Sequence, residues 1–103
     1  MPLELVDLDE KSALEVFAIK LRILLNSTQL WEELGIKKPK NAVIWLAAQT
    51  GYSHTHIYSV LSLEGTINMA RAEVIANTLQ RPLWKMISPS YEDLGVNMKE
   101  QSA

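Results

Sequence analysis

With 103 residues, the chain is long enough for one domain with a core of its own. The absence of cysteine excludes disulfides, a thiol nucleophile and a thiolate zinc site. Residues 1–15 carry five acidic side chains against one basic, residues 88–103 three against one, and residues 16–87 eight basic against four acidic. The net charge of −2 therefore hides a mildly basic body between acidic ends, which can attract a polyanion if its cations share a surface.

The first predicted element is a helix that follows the acidic N-terminal segment 1–11. From Ser12 to Leu25 apolar residues recur every three or four positions, and Ser12 with Glu15 has the spacing of a capping box. Further apolar residues lie off this stripe, so we expect the helix to be buried on two sides. One side would face its own core, and the other would face either a second subunit or the tail of the chain.

Shorter helices follow, each with an expected start and stop signal. Asn41, Ser53 and Asn68 are expected N-caps, and Gly35 and Gly65 are expected to end the helices before them. The predicted helices are about 28–34, 42–49, 54–64, 69–79 and 82–87.

These segments predict an all-α fold, a compact bundle of about five to six helices that contains a helix-turn-helix. No stretch alternates with a period of two, and no internal repeat is present. The core is expected within about 12–87, followed by a C-terminal tail at 88–103. No apolar run approaches the roughly 18 residues of a membrane span, so we expect a soluble protein without a membrane partner.

The joint between the third and fourth helices carries the most specific pattern. Ala47 supplies a small residue where two steeply angled helices touch, and Gly51 tolerates the positive φ of a tight turn. Ile57 and Val60 are then spaced to dock the second helix into the core. A small residue, a glycine and branched aliphatic residues at this spacing are typical of the helix-turn-helix.

On these residues, the stretch "LAAQTGYSHTHIYSV" resembles the Cro and lambda-repressor family of helix-turn-helix regulators, also called the XRE class. The family pattern of Leu-Ala, then Gly-Val-Ser, then a polar pair and two aliphatic residues matches it without a gap. The resemblance continues through "INMARAEVIANTL" and covers about residues 46–79. Val43 departs from it, because many relatives have a phosphate-contacting glutamine there.

The resemblance implies a bacterial or phage transcriptional regulator, a cytoplasmic repressor that acts as a homodimer and reads double-stranded DNA in the major groove. Carried over by position, the residues expected to contact base edges are His54, Thr55, Tyr58 and Ser59. Those expected to contact phosphates are Lys37, Lys38, Lys40, Asn41, Ser53, His56, Thr66, Asn68 and Arg71. Candidate dimer surfaces are the first helix and the tail residues Tyr91, Leu94, Val96 and Met98.

Catalysis and metal binding are not expected. His54 and His56 lie two apart on a helix and point to different sides, and no cysteine or nearby acid completes a metal site. No nucleophile with an orienting acid accompanies them, so we expect neither an enzyme nor a cofactor. Trp31, Trp45 and Trp84 are expected in the core or at an interface.

Two other functions remain open at this point. An antitoxin-type regulator would bind a partner protein through its termini as well as DNA. Alternatively, the helix-turn-helix would serve only as a protein-interaction scaffold, in keeping with an isoelectric point of about 5.6.

Overall fold

The fold is an all-α bundle in which six helices and a 3-10 turn succeed one another, as far as the chain is described. The structure is a computed structural model, and it describes residues 8, 9, 11–62 and 68–94. The helices are α1 (Ala13–Leu25), α2 (Thr28–Leu34), α3 (Ala42–Thr50), α4 (His54–Ser62), α5 (Met69–Thr78) and α6 (Leu83–Ile87). The 3-10 turn spans Tyr91–Leu94, and none of the residues described forms a strand. The prediction of an all-α bundle is confirmed.

Local capping explains where most helices begin. The Ser12 hydroxyl accepts from the Glu15 backbone N–H at 3.2 Å, and the Asn68 side chain accepts from Arg71 N–H at 2.8 Å. Asn41 caps α3 by accepting from two backbone N–H groups at 2.9 and 3.2 Å. Each bond satisfies a donor that has no partner within the helix. The predicted starts of these helices are therefore confirmed.

Glycine ends two of the helices. Gly35 after α2 has φ 73° and Gly51 after α3 has φ 80°, both in the left-handed region. A residue with a Cβ is strained there, so glycine is the favoured choice. The predicted end of the fourth helix at Gly65 lies outside the described residues.

Helix α1 lies at the centre of the bundle. Its core-facing residues include Phe17, Leu21 and Leu24, all with no exposed surface. It packs against α4, α6 and the 3-10 turn, while α3 packs against α4 and α5. Of the two alternatives for the second apolar side of α1, the structure shows the chain's own tail. The 3-10 turn packs on α1 together with α6, and these two elements, residues 83–94, are here called the C-terminal segment.

The core extends beyond the expected range of 12–87. Leu8 is 2% exposed. Leu94 is fully buried because the 3-10 turn folds back against α1 and α6. Leu94 is therefore not available as a dimer surface, contrary to expectation. Tyr91 is half-buried, and Val96 and Met98 lie outside the described residues.

Two cations fasten this C-terminal segment. The Lys20 ammonium is fully buried and donates to the Lys85 carbonyl at 2.6 Å. Arg81 donates through Nε to the Leu94 carbonyl at 2.9 Å and pairs through Nη2 with Glu33 at 2.7 Å. Desolvation by burial lowers the pKa of Lys20 below its usual 10.5, although the nearby Asp93 carboxylate acts in the opposite direction.

The tryptophans divide between the core and the surface. Trp31 is 1% exposed, and its ring meets the half-buried Trp45 ring edge-on with the centroids 5.0 Å apart. Trp84, by contrast, is 59% exposed. Its apolar neighbours in sequence predicted a place in the core or at an interface, and the structure excludes the core, because Met86 occupies the core side of this five-residue helix.

Candidate nucleic-acid interface

The turn between α3 and α4 is built as the sequence predicts. The Gly51 N–H donates to the Ala47 carbonyl at 2.8 Å, which closes α3. The Ser53 hydroxyl accepts from the His56 N–H at 3.1 Å and so caps the start of α4. Three residues, 51–53, thus separate two helices that pack on one another, which is a helix-turn-helix arrangement.

The predicted core residues of the motif are buried where they were expected. Ile57 has no exposed surface, and Ala47 and Val60 are each 3% exposed. Gly51 is exposed and contributes through its backbone conformation. These contacts fix which side of α4 faces the core.

The opposite side of α4 carries the residues predicted to contact bases. His54 and Thr55 are exposed, Tyr58 is 50% exposed, and Ser59 is half-buried. At 3.6 residues per turn these four positions share one side of the helix, away from Ile57 and Val60. The structure therefore brings the four predicted residues together on a single outward surface, here called the α4 face.

Residues 37–40, here called the lysine loop, end beside the α4 face. The Asn41 side chain, while capping α3, also donates from Nδ2 to the Tyr58 hydroxyl at 3.4 Å. This bond links the start of α3 to the α4 face across 17 positions of sequence. Lys37, Lys38 and Lys40 are all exposed, and no described carboxylate pairs with them.

Arg22 belongs to the same neighbourhood, although the sequence pattern did not single it out. It donates from Nη2 to the Leu61 carbonyl at 2.7 Å and so joins α1 to the last turn of α4. Arg22, Lys40 and Asn41 also line one open pocket of about 220 Å³. Cations of α1 and of the loop thus converge near the C-terminal end of α4.

Arg71 lies near the other end of α4. Its guanidinium carbon is over the Tyr52 ring, 5.7 Å from the centroid, in a cation–π contact. Asn68 is exposed and caps α5 just before Arg71. Thr66, the remaining predicted phosphate contact, lies outside the described residues.

His56 is placed differently from the other predicted contacts. Its ring meets the Tyr52 ring edge-on with centroids 5.5 Å apart, and its Nε2 is buried without a hydrogen-bond partner in the described part of the chain. That nitrogen cannot reach a phosphate in this conformation. His56 lies at the border between the α4 face and the core, so it differs from the exposed His54.

The charge pattern of this surface is one-sided. From Leu34 to Leu63 the sequence has three lysines and no aspartate or glutamate. A stretch free of acid was a signal available in the sequence. Among the described residues no group of three or more histidine, cysteine or acidic side chains forms a possible metal site, and no helix is long and apolar enough to cross a membrane.

Fold and surface together define a small all-α domain with a helix-turn-helix. Neither a protein-family model, nor a curated protein, nor a solved structure matches the chain.

Proposed function

We propose that the chain is a sequence-specific double-stranded DNA-binding transcriptional regulator that places α4 in the major groove. The observation that carries the proposal is the α4 face itself. Its hydrogen-bonding side chains point outward together, and cations that no described carboxylate pairs with flank both ends of the helix. A major groove about 12 Å wide admits one helix, and phosphates line both of its edges.

The residues of the α4 face have distinct roles in this proposal. His54 and Thr55, in the first turn of α4, contact base edges, His54 as a donor to guanine and Thr55 through its methyl group to thymine. Tyr58 and Ser59 follow one turn later on the same side. Because Asn41 holds the Tyr58 hydroxyl, that ring is restricted before DNA arrives.

Phosphate contacts come from both ends of α4. The lysine loop and Asn41 contact phosphates near the C-terminal end of α4. Ser53, Asn68 and Arg71 contact phosphates near its N-terminal end. Lysine and arginine supply attraction that does not depend on sequence, and it weakens as salt rises because bound counterions are released.

A homodimer is part of the proposal. One α4 face offers few base contacts, so high specificity needs two copies on half-sites about 34 Å apart. A dilution series by analytical ultracentrifugation checks this, and selection of bound sequences from a random duplex pool checks it independently. A palindrome with two half-sites one turn apart supports the dimer, and a monomer at all concentrations with a single unrepeated site contradicts it.

The decisive experiment is a salt titration with random-sequence duplex DNA. We expect binding at low salt that weakens steeply as salt rises, and Lys38→Gln should lower the slope by about one. Lys11→Gln is the matched control, because this exposed lysine precedes α1, at the opposite end of that helix from Arg22. No binding by the wild type even at low salt would overturn the proposal.

The protein-interaction scaffold is the second candidate, and exposed apolar side chains favour it. Ile44 is 48% exposed, Tyr58 50% and Met69 44%. Where such side chains form a contiguous patch, they mark a protein–protein interaction site. The same titration separates the two functions, because a scaffold would show no salt-dependent binding to DNA.

A further inference from the structure

Tyr52 lies in the turn immediately before α4, and a tyrosine is an unusual residue at this position. The family pattern that this stretch resembles has valine there, between the glycine and the serine. In this chain the ring has two ring or cation neighbours, the His56 ring at 5.5 Å and the Arg71 guanidinium at 5.7 Å. A valine has no π-face and cannot make the second contact.

The way in which Arg71 is held matters for what it can bind. A cation over an aromatic ring is attracted to the ring face, so the N–H groups at the guanidinium edge stay free. Arg81 shows the contrary case, because its donors are engaged by Glu33 and by backbone carbonyls. No hydrogen bond or ion pair from another described residue engages the Arg71 side chain.

The rest of Arg71 is also fixed. Its backbone N–H donates to the Asn68 side chain at 2.8 Å, within the first turn of α5. Only the long side chain remains to be oriented, and Tyr52 is half-buried and therefore a stable platform for it. The ring and the helix cap together leave the guanidinium beside the start of α4, with donors that no other described residue engages.

We infer that Tyr52 is a positioning residue, which holds Arg71 on its ring so that the guanidinium edge can bind a DNA phosphate next to the start of α4. This inference rests on the proposed function. Its chemistry is that of a bidentate guanidinium–phosphate contact, whose geometry depends on the orientation of the planar group. His56, whose ring contacts the Tyr52 ring edge-on and whose Nε2 is buried, supports Tyr52 and does not itself bind DNA.

The test compares two substitutions of the ring in the full chain, with random-sequence duplex DNA as the probe. Tyr52→Phe keeps the π-face, and we expect the salt slope of the wild type. Tyr52→Leu removes it, and we expect the slope to fall by about one and affinity at low salt to drop about three- to tenfold. Thermal unfolding of both variants verifies that they are folded, and Tyr52→Met replaces Tyr52→Leu if the latter is not.

A second background separates positioning from general stability. In Arg71→Gln the slope is already reduced, so adding Tyr52→Leu should change it no further, because the two residues act through one contact. Equal slopes for Tyr52→Phe and Tyr52→Leu, or additive losses on the Arg71→Gln background, overturn the inference while the proposed function stands. Absence of DNA binding by the wild type overturns both.

Discussion

Two regions of this molecule use the same residue types in opposite ways. Around α4, the lysines of the loop and Arg71 lie exposed without a carboxylate partner among the described residues. At the C-terminal segment, Lys20 and Arg81 are turned inward and donate to backbone carbonyls. The first region leaves positive charge available to a partner, and the second uses it to hold the chain together.

This contrast shows that the number of cations in a sequence says little about its binding to a polyanion. Ten lysines and arginines give a net charge of −2 with the acids, yet burial removes Lys20 and Arg81 from any outside polyanion. Of the other described cations, Arg22, Lys40 and Arg71 lie beside α4. Local charge and not net charge then decides whether an acidic protein can approach DNA.

The largest effect is expected when the C-terminal segment is separated from the core. Leu94→Ala removes a fully buried side chain from the surface where the 3-10 turn meets α1 and α6, and should cost about 2–5 kcal/mol of unfolding free energy. Urea denaturation measures it. Trp84→Ala is the matched control in the same segment, because its ring is 59% exposed, and it should cost about 0.5 kcal/mol. Equal costs would contradict the placement of Leu94.

On the α4 face, a substitution should weaken DNA recognition and leave the unfolding free energy nearly unchanged. Thr55→Ala should reduce preference for a selected operator by about 1–3 kcal/mol, since a base contact is lost. Its unfolding free energy should stay within about 0.5 kcal/mol of the wild type, because Thr55 is exposed. Competition between operator and random duplex measures the first quantity. An unchanged preference would show that the register assigned to α4 is wrong.

The turn between α3 and α4 gives a smaller and purely conformational effect. Gly51→Ala should cost about 1–2 kcal/mol, because φ is 80° and L-residues are strained there. A Cβ at this position meets no atom within 4 Å, so a steric clash does not contribute. Gly51→Asn should lose less, since asparagine tolerates the left-handed region. Similar losses for both variants in urea denaturation would argue against conformational strain as the cause.

Local physical chemistry made much of the fold predictable. Asn41 and Asn68 cap helices through hydrogen bonds to residues two or three positions away, and Gly51 adopts the positive φ that the turn after α3 needs. The outward side of α4 followed from helical period once Ile57 was assigned to the core. These features depend on residues that are close in sequence, so one sequence is enough to predict them.

Contacts across long distances in sequence were not predictable in the same way. Lys20 binds a carbonyl 65 positions away, and Arg22 binds one 39 positions away. Leu94 was expected on a dimer surface, because nothing near it in sequence shows that the 3-10 turn folds back onto α1. The Tyr52–Arg71 contact likewise joins the turn before α4 to the first turn of α5, across 19 positions of sequence.

Lys20, the buried cation that contacts the C-terminal segment, provides the last and smallest predicted effect. Lys20→Met keeps the length of the side chain and removes the desolvation cost of a buried charge, but it leaves the Lys85 carbonyl without its donor. Because these two changes oppose each other, we expect the unfolding free energy of the variant in urea at neutral pH to lie within about 1 kcal/mol of the wild type. Lys85→Met is the matched control, since the Lys85 ammonium lies 5.5 Å from the exposed Trp84 ring and not in the core.

The dependence of this difference on pH has a definite sign. Burial lowers the pKa of Lys20 in the folded state below 10.5, the ordinary value that the unfolded chain retains. Between these two values the unfolded chain binds more protons than the folded one, so the stability of the wild type should rise with pH relative to Lys20→Met. Below that window both states are protonated and the difference is constant. If the two stabilities, measured in urea, changed in parallel up to pH 10.5, Lys20 would not be the buried cation that separates this region from the α4 face.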